Sequence, residues 1–312
     1  MQDGSPSVRE QRPLVSNGRL RLFLTSACNL ACFYCHNEGQ PKGFDYVDDG
    51  LVTRLLAQTS GGEIRKVIFS GGEPLIHPQV IEYVEAFSLR VSETSLITNG
   101  LLLDKSMAIA LRGAGLHKIR LGVDSFRRTK PRPSPGYLDK EFSFEETVAN
   151  VLEAGLRLDL NVVLTKFNQA EVPRFLEFAI ANELDIKFFE HLEVRPPAPG
   201  ALINTMVPKP QVSEEHFMGM LGATLGNLPD FELVDEFAPA TSAARVAHTE
   251  IRYCRYLCTF GRCASPGTRV DAEGFVYTCM SNRGLDIIEP GMTDAEVDAV
   301  FRSASGRRCG AQ

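Results

Sequence analysis

Strand-like and helix-like segments alternate through the first two thirds of the chain, and that alternation narrows the fold to parallel βα units. Short apolar runs suited to strands fall at 19–25, 66–70, 94–98, 118–123, 157–164 and 185–190. Helical periodicity marks 50–58, 78–88, 104–113, 145–154 and 170–181 between them. The fourth of these helices opens on a capping box, Ser143 with Glu146, places Val148, Val151 and Leu152 on one face, and stops at Gly155. Six units are too few for eight-fold closure, so the pattern predicts an α/β fold based on a partial (βα)6 barrel of the TIM type. Chemistry in such a barrel belongs at the C-terminal ends of the strands.

The character changes after Glu190. Val194-Arg-Pro-Pro-Ala-Pro-Gly200 and Val207-Pro-Lys-Pro210 read as a linker-like bridge, which divides the chain into a barrel over 1–193 and a C-terminal extension over 194–312. Within the extension a hairpin is expected over Thr268 to Thr278, turning at Asp271 to Gly274. A final helix starts at a second capping box, Thr293 with Glu296, and buries Val297, Val300 and Phe301. The basic, Pro-rich stretch Arg127 to Gly136 reads as a solvated loop.

Hydrophobic residues make up 44% of the 312 and charged residues 23%, ordinary values for a soluble globular protein. No apolar run approaches the ~18 residues that would span a bilayer, and the polar start lacks a signal-peptide core, so the expected location is cytoplasmic. A net charge of −6 gives no global footprint for nucleic acid or a membrane surface, so an anionic ligand would need a local basic pocket.

Eight cysteines in a chain of this kind argue for metal or cluster ligation rather than disulfides. Cys28, Cys32 and Cys35 lie in Ser26-Ala-Cys-Asn-Leu-Ala-Cys-Phe-Tyr-Cys-His36, directly after the first strand. A cubane iron–sulfur cluster usually takes four thiolates, so three would leave one iron open to an outside ligand. A zinc site is the alternative. Cys254, Cys258, Cys263 and Cys279 form a second group, CX3CX4CX15C, and its spacing does not separate a four-cysteine zinc site from a second cluster. Cys309 stands alone, as a free thiol.

The CX3CX2C triplet resembles that of the radical S-adenosylmethionine (radical SAM) superfamily. Three further motifs extend the resemblance along the chain: Gly71-Gly-Glu-Pro74, Thr98-Asn-Gly100 and Asp124-Ser125, each at an expected strand end. The short cysteine-bearing extension is similar to a twitch region, and Cys35-His-Asn-Glu-Gly39 with Lys187-Phe-Phe-Glu190 resembles the MoaA, or GTP 3′,8-cyclase, family.

The resemblance implies a [4Fe–4S] cluster on Cys28, Cys32 and Cys35, with SAM completing the open iron. Tyr34, Gly71, Gly72, Glu73, Pro74, Thr98, Asn99 and Asp124 would bind SAM, the two glycines letting backbone approach its methionyl group. A second cluster would sit on Cys258, Cys263 and Cys279, with Cys254 as an optional fourth ligand. Arg21, Lys66, Lys166, Lys187 and Arg269 would form a cationic substrate pocket. Arg21 also draws attention by itself, because alternation with Leu22 points it into the barrel, where its charge needs a partner. The implied partners are a small-molecule substrate, with GTP the best single candidate, and an electron donor of the flavodoxin or ferredoxin type. Ile68 and Gly267 stand where that family has Arg, and Arg307-Arg-Cys-Gly-Ala-Gln312 differs from its Gly-Gly tail. These departures keep open a tailoring reaction on another nucleotide, sugar or peptide, and outside enzymology a Cys-rich zinc-binding protein without turnover.

Overall fold

A computed structural model of the chain describes residues 15–43, 45–126, 142–195, 205–208, 210–226, 231–234, 241–255 and 267–307. The repeating part comprises β1 (Arg19–Phe23), α1 (Asp49–Gln58), β2 (Lys66–Ser70), α2 (Val80–Ser88), β3 (Glu93–Thr98) and α3 (Lys105–Gly113). It continues through β4 (Lys118–Gly122), α4 (Phe144–Glu153), β5 (Arg157–Val163), α5 (Val172–Ala181) and β6 (Asp185–Phe189). These six strands lie side by side in chain order and all run parallel.

The later segments are β7 (Leu192–Arg195), β8 (Thr205–Pro208), α6 (Glu214–Leu225), β9 (Phe231–Val234), β10 (Thr241–Val246) and β11 (Thr249–Cys254). They end with β12 (Thr268–Val270), β13 (Val276–Tyr277) and α7 (Asp294–Gly306). β11 pairs parallel with β6 and carries β10 and β9 outside it, whereas β12 pairs parallel with β1 and carries β13. The eleven strands thus form one sheet, and β7 with β8 makes a separate two-stranded hairpin. The expected partial barrel is present, and strands from the C-terminal extension continue it on both sides.

Alternation along each strand assigns its two faces. Leu20, Leu22, Val67, Phe69, Leu96, Ile119, Leu121, Leu160, Val162, Ile186 and Phe188 are fully or almost fully buried and form the core beneath the helices. Their neighbours Arg21, Lys118, Arg120, Asn161 and Lys187 are half-buried on the opposite, concave face. That polar face, at the C-terminal strand ends, is where a ligand chamber can form.

Three local expectations are corrected. Leu152 is exposed at 39%, because 100° per residue carries it past the stripe formed by Phe144, Thr147, Val148 and Val151. Only half of the box at α4 is made, with Glu146 N donating to Ser143 Oγ, while Thr293 and Glu296 complete theirs at α7. In α7 Val300 is half-buried, and Ala304 joins Val297 and Phe301 in the buried stripe.

Candidate functional site

The loop after β1 is fixed by backbone. Gly72 N donates to Thr25 O at 2.7 Å and Glu73 N to Ala27 O at 2.8 Å, so the turn after β2 lies directly against the cysteine loop. A Cβ at Gly71 would stand 2.4 Å from Thr25 O, and one at Gly72 would stand 2.0 Å from Ala27 O. Gly71 moreover has φ +140°, a conformation side chains disfavour. The closest approach these glycines permit within the chain is therefore between the turn after β2 and the cysteine loop.

Glu73, 0% exposed, ties the next strand end to this turn. Its carboxylate accepts from Leu75 N at 3.1 Å, Thr98 Oγ1 at 2.7 Å and Asn99 N at 2.8 Å. Asn99 in turn donates through Nδ2 to Asn29 Oδ1 at 2.7 Å, inside the cysteine triplet. Tyr34 donates its hydroxyl to the Asp124 carboxylate at the end of β4. Pro74 is buried at the start of a single helical turn. Every residue expected around SAM thus lies on or beside the cysteine loop or on a strand end hydrogen-bonded to it.

Three residues the sequence reading passed over belong here. Asn29 is 1% exposed, and its Nδ2 is buried with no acceptor among the described residues, beside Cys28. Asn168 donates to Asp124 O at 3.2 Å, and Glu171 accepts from Ser125 Oγ at 2.7 Å and Phe126 N at 2.9 Å. Only Asn29 carried a signal, its place between two candidate ligands.

The expected cations fall into separate groups. Glu38, three residues past Cys35, bridges Arg21 Nη1 at 2.6 Å and Arg269 Nε at 3.1 Å across the paired strands β1 and β12. Burial opposes ionisation of Glu38, but the charges of Arg21 and Arg269 outweigh it and hold its carboxyl down to about 2. Lys66 pairs with Glu93 at 2.6 Å, and Lys187 pairs with Asp159 at 3.2 Å, beside Lys118 and Arg120. Lys166 lies 5.2 Å from the centre of the Phe167 ring.

Of the second cysteine group, Cys254 ends β11 and Cys279 follows β13, on strands added to opposite sides of the six. Cys258 and Cys263 lie outside the described residues. The hairpin that leads to Cys279 is joined to the segment after Cys35: Tyr277 donates to Glu38 O at 3.2 Å, and Arg269 Nε to Glu38 Oε2 at 3.1 Å.

The donor set suits a cluster. Among the described residues no three His, Cys, Asp or Glu side chains converge on a point that would hold one metal ion. A cubane does not require that, since each thiolate binds a different iron. Burial pushes the Cys28 thiol up to about 11 and raises that of Cys35, so a bound cation is needed to make them thiolates. Asn29 Nδ2 supplies a spare donor beside them.

The family model described as "Radical SAM superfamily" matches residues 22–179. The GTP 3′,8-cyclase of Chlorobaculum tepidum is 32% identical over 179 residues, 55% of this chain and 52% of that protein. The chain thus spans about half the length of that relative and of the next, the probable GTP 3′,8-cyclase of Methanosarcina mazei, with 49% of it covered at 36% identity. A probable GTP 3′,8-cyclase of Pyrococcus abyssi is 27% identical over 308 residues, covering 91% of this chain and 93% of that one. Among solved structures, Streptococcus suis SuiB bound to the precursor peptide SuiA superposes with a TM-score of 0.58 at 12% identity, covering 93% of this chain and 65% of that one. Native anSMEcpe with bound AdoMet gives 0.53 at 18% identity, with coverages of 84% and 74%; both likenesses are of fold. The family match takes in just over half of the 312 residues, the cysteine triplet and all three strand-end motifs, and the chain belongs to the radical SAM superfamily, whose members use a [4Fe–4S] cluster and SAM.

Proposed function

We propose that this protein cleaves SAM reductively at a cluster held by Cys28, Cys32 and Cys35 and directs the resulting radical at a small molecule on the concave face of the sheet. One observation carries the reading: the cysteine loop, Gly71 to Glu73, Thr98 with Asn99, and Asp124 are linked by hydrogen bonds at one end of the parallel strands. A cluster held by Cys28, Cys32 and Cys35 would supply the electron for reductive cleavage of SAM, and SAM would supply the hydrogen-abstracting group. The chain's own part is placement. Glu73, buried and hydrogen-bonded on both oxygens, fixes the strand ends that border SAM, with Gly71, Gly72 and Pro74 holding the turn beneath. Tyr34 and Asp124, with Thr98 and Asn99, bound the nucleoside side.

Cys258, Cys263 and Cys279, with Cys254 as a fourth ligand or not, carry a second cluster in the region 194–312, beyond the barrel of 1–193. GTP is the first substrate to test, supported by the near full-length similarity to the Pyrococcus abyssi protein, with Arg21, Lys66, Lys166, Lys187 and Arg269 as the candidate phosphate-side cations. A tailoring reaction on another nucleotide, sugar or peptide is favoured by the Glu38 bridge, because Arg21 and Arg269 already share a carboxylate. A flavodoxin- or ferredoxin-type protein would deliver electrons, and the setting would be cytoplasmic. Among the described residues no helix is long and apolar enough to cross a membrane.

The test is anaerobic reconstitution, metal and sulfide analysis, then incubation with SAM, reductant and GTP. The expected result is iron with matching sulfide and 5′-deoxyadenosine formation that is abolished when Cys28, Cys32 and Cys35 are replaced by Ala. Zinc without sulfide would reject the enzyme reading. Deoxyadenosine at background levels with GTP, and no cyclised product, would reject GTP in favour of the tailoring reaction.

A further inference from the structure

The concave face of β4, β5 and β6 carries a charge cluster larger than the sequence singled out. Lys118 Nζ donates to Asp159 Oδ1 at 2.9 Å and Lys187 Nζ to Asp159 Oδ2 at 3.2 Å, while Arg120 Nε stands 3.9 Å from that second oxygen. Three cations share one carboxylate that is 4% exposed, and their own side chains are only 17%, 19% and 21% exposed. Among the described residues, neighbouring carboxylates are engaged elsewhere: Glu93 with Lys66, Asp185 accepting from Glu250 N, and Glu250 with Arg245 and Arg252. A surplus of positive charge withdrawn from bulk water calls for an anion.

Two buried atoms say what kind. Among the described residues Arg120 Nε has no hydrogen-bond acceptor, and Asn161 Oδ1 has no donor. Asn161 lies two residues beyond Asp159 on β5, hence on the same face and nearer the mouth, in register with Gly122 on one side and Lys187 on the other. Gly122 contributes no side chain there, and a Cβ on it would meet nothing closer than Thr98 O at 3.5 Å, so space remains open beside the amide. A ligand satisfying both atoms presents a charged oxygen to Arg120 and an adjacent O–H or N–H to Asn161.

We propose that Arg120, Asn161 and Lys187 form an oxyanion subsite in the barrel, selecting a substrate that carries a phosphoryl or carboxylate oxygen with a hydroxyl close by. The placement differs from a pocket centred on Arg21 and Arg269, whose charges meet Glu38. Asp159 acts as a positioning residue: it aligns Lys118 and Lys187 and competes with the incoming anion for all three cations. The subsite rests on the concave face being the substrate chamber, and its test reads binding rather than SAM cleavage, so failure of the one leaves the other standing.

The reconstituted full chain is titrated calorimetrically with inorganic phosphate and, separately, with L-lactate, a 2-hydroxycarboxylate. Binding of phosphate identifies the phosphoryl source, and binding of lactate the carboxylate one. The better probe is expected to lose roughly 10- to 100-fold in affinity with Arg120→Gln and about 2- to 10-fold with Asn161→Leu. Asp159→Asn, which removes the competing charge, tightens it by at least about threefold, whereas a merely structural carboxylate would give no gain. Thermal unfolding establishes that each variant is folded, and should Asp159→Asn fail, the other two decide. Absence of binding by either probe up to about 10 mM, or an Arg120→Gln affinity within about twofold of the unsubstituted chain, overturns the proposal.

Discussion

Gly72→Ala is expected to strip the protein of its iron while leaving most of the fold intact. The added methyl group would sit 2.0 Å from Ala27 O, 2.5 Å from Ala27 C and 2.9 Å from Ser26 O, all backbone atoms that cannot rotate aside. Relief requires the cysteine loop to lift from the turn, breaking the bonds from Gly72 N and Glu73 N that hold Thr25 and Ala27. Overpacking of this kind costs about 1–3 kcal/mol. That cost falls on the alignment of Cys28, Cys32 and Cys35, so cluster content after anaerobic reconstitution should drop about tenfold. Gly113→Ala is the control, since a Cβ there meets nothing within 4 Å. Equal iron and sulfide in the two variants would show that the contact is dispensable.

Glu38→Gln is expected to cost about 2–3 kcal/mol of stability near neutral pH. Arg269, with 6% of its side chain exposed, and Arg21, with 20%, would lose the carboxylate they share, although remaining contact with water lessens the penalty. The pH dependence has a definite sign. The Glu38 carboxyl titrates at about 2 in the folded chain, below the ~4.3 of an unfolded glutamate, so its contribution is complete above that higher value. It fades as pH falls toward about 2, and urea unfolding should show the gap between the native chain and Glu38→Gln closing over that range. A gap unchanged from about pH 6 to pH 3 would mean that the ion pairs contribute nothing to stability.

Much of this was legible from local pattern. Short apolar runs located β1 to β6 to within a residue or two, because core residues such as Leu20, Leu22, Ile186 and Phe188 concentrate in them. Motifs at the strand ends placed the site for the same reason, since parallel strands in chain order bring those ends together. Long-range pairing was not legible. Nothing near Thr268 or Thr249 announces that these strands join β1 and β6, and the ion pair between Glu38 and Arg269 spans 231 positions. Counter-ions were not legible either: Glu38, Glu93 and Asp159 pair with Arg269, Lys66 and Lys187 from 231, 27 and 28 positions away. The alternating polar residues of β4 and β5, Lys118 with Arg120 and Asp159 with Asn161, did carry a readable signal.

The strands flanking β1 and β6 also bear on solubility. Six parallel strands that stop short of closure would present two rows of unsatisfied amides and carbonyls to any passing chain. β12 and β11 cover those rows, and among the described residues the outermost strands, β13 with two residues and β9 with four, are too short to template much further pairing. A chain cut after residue 193 would therefore expose both rows at once and self-associate, so the C-terminal region protects the barrel from aggregation whatever chemistry its cysteines perform.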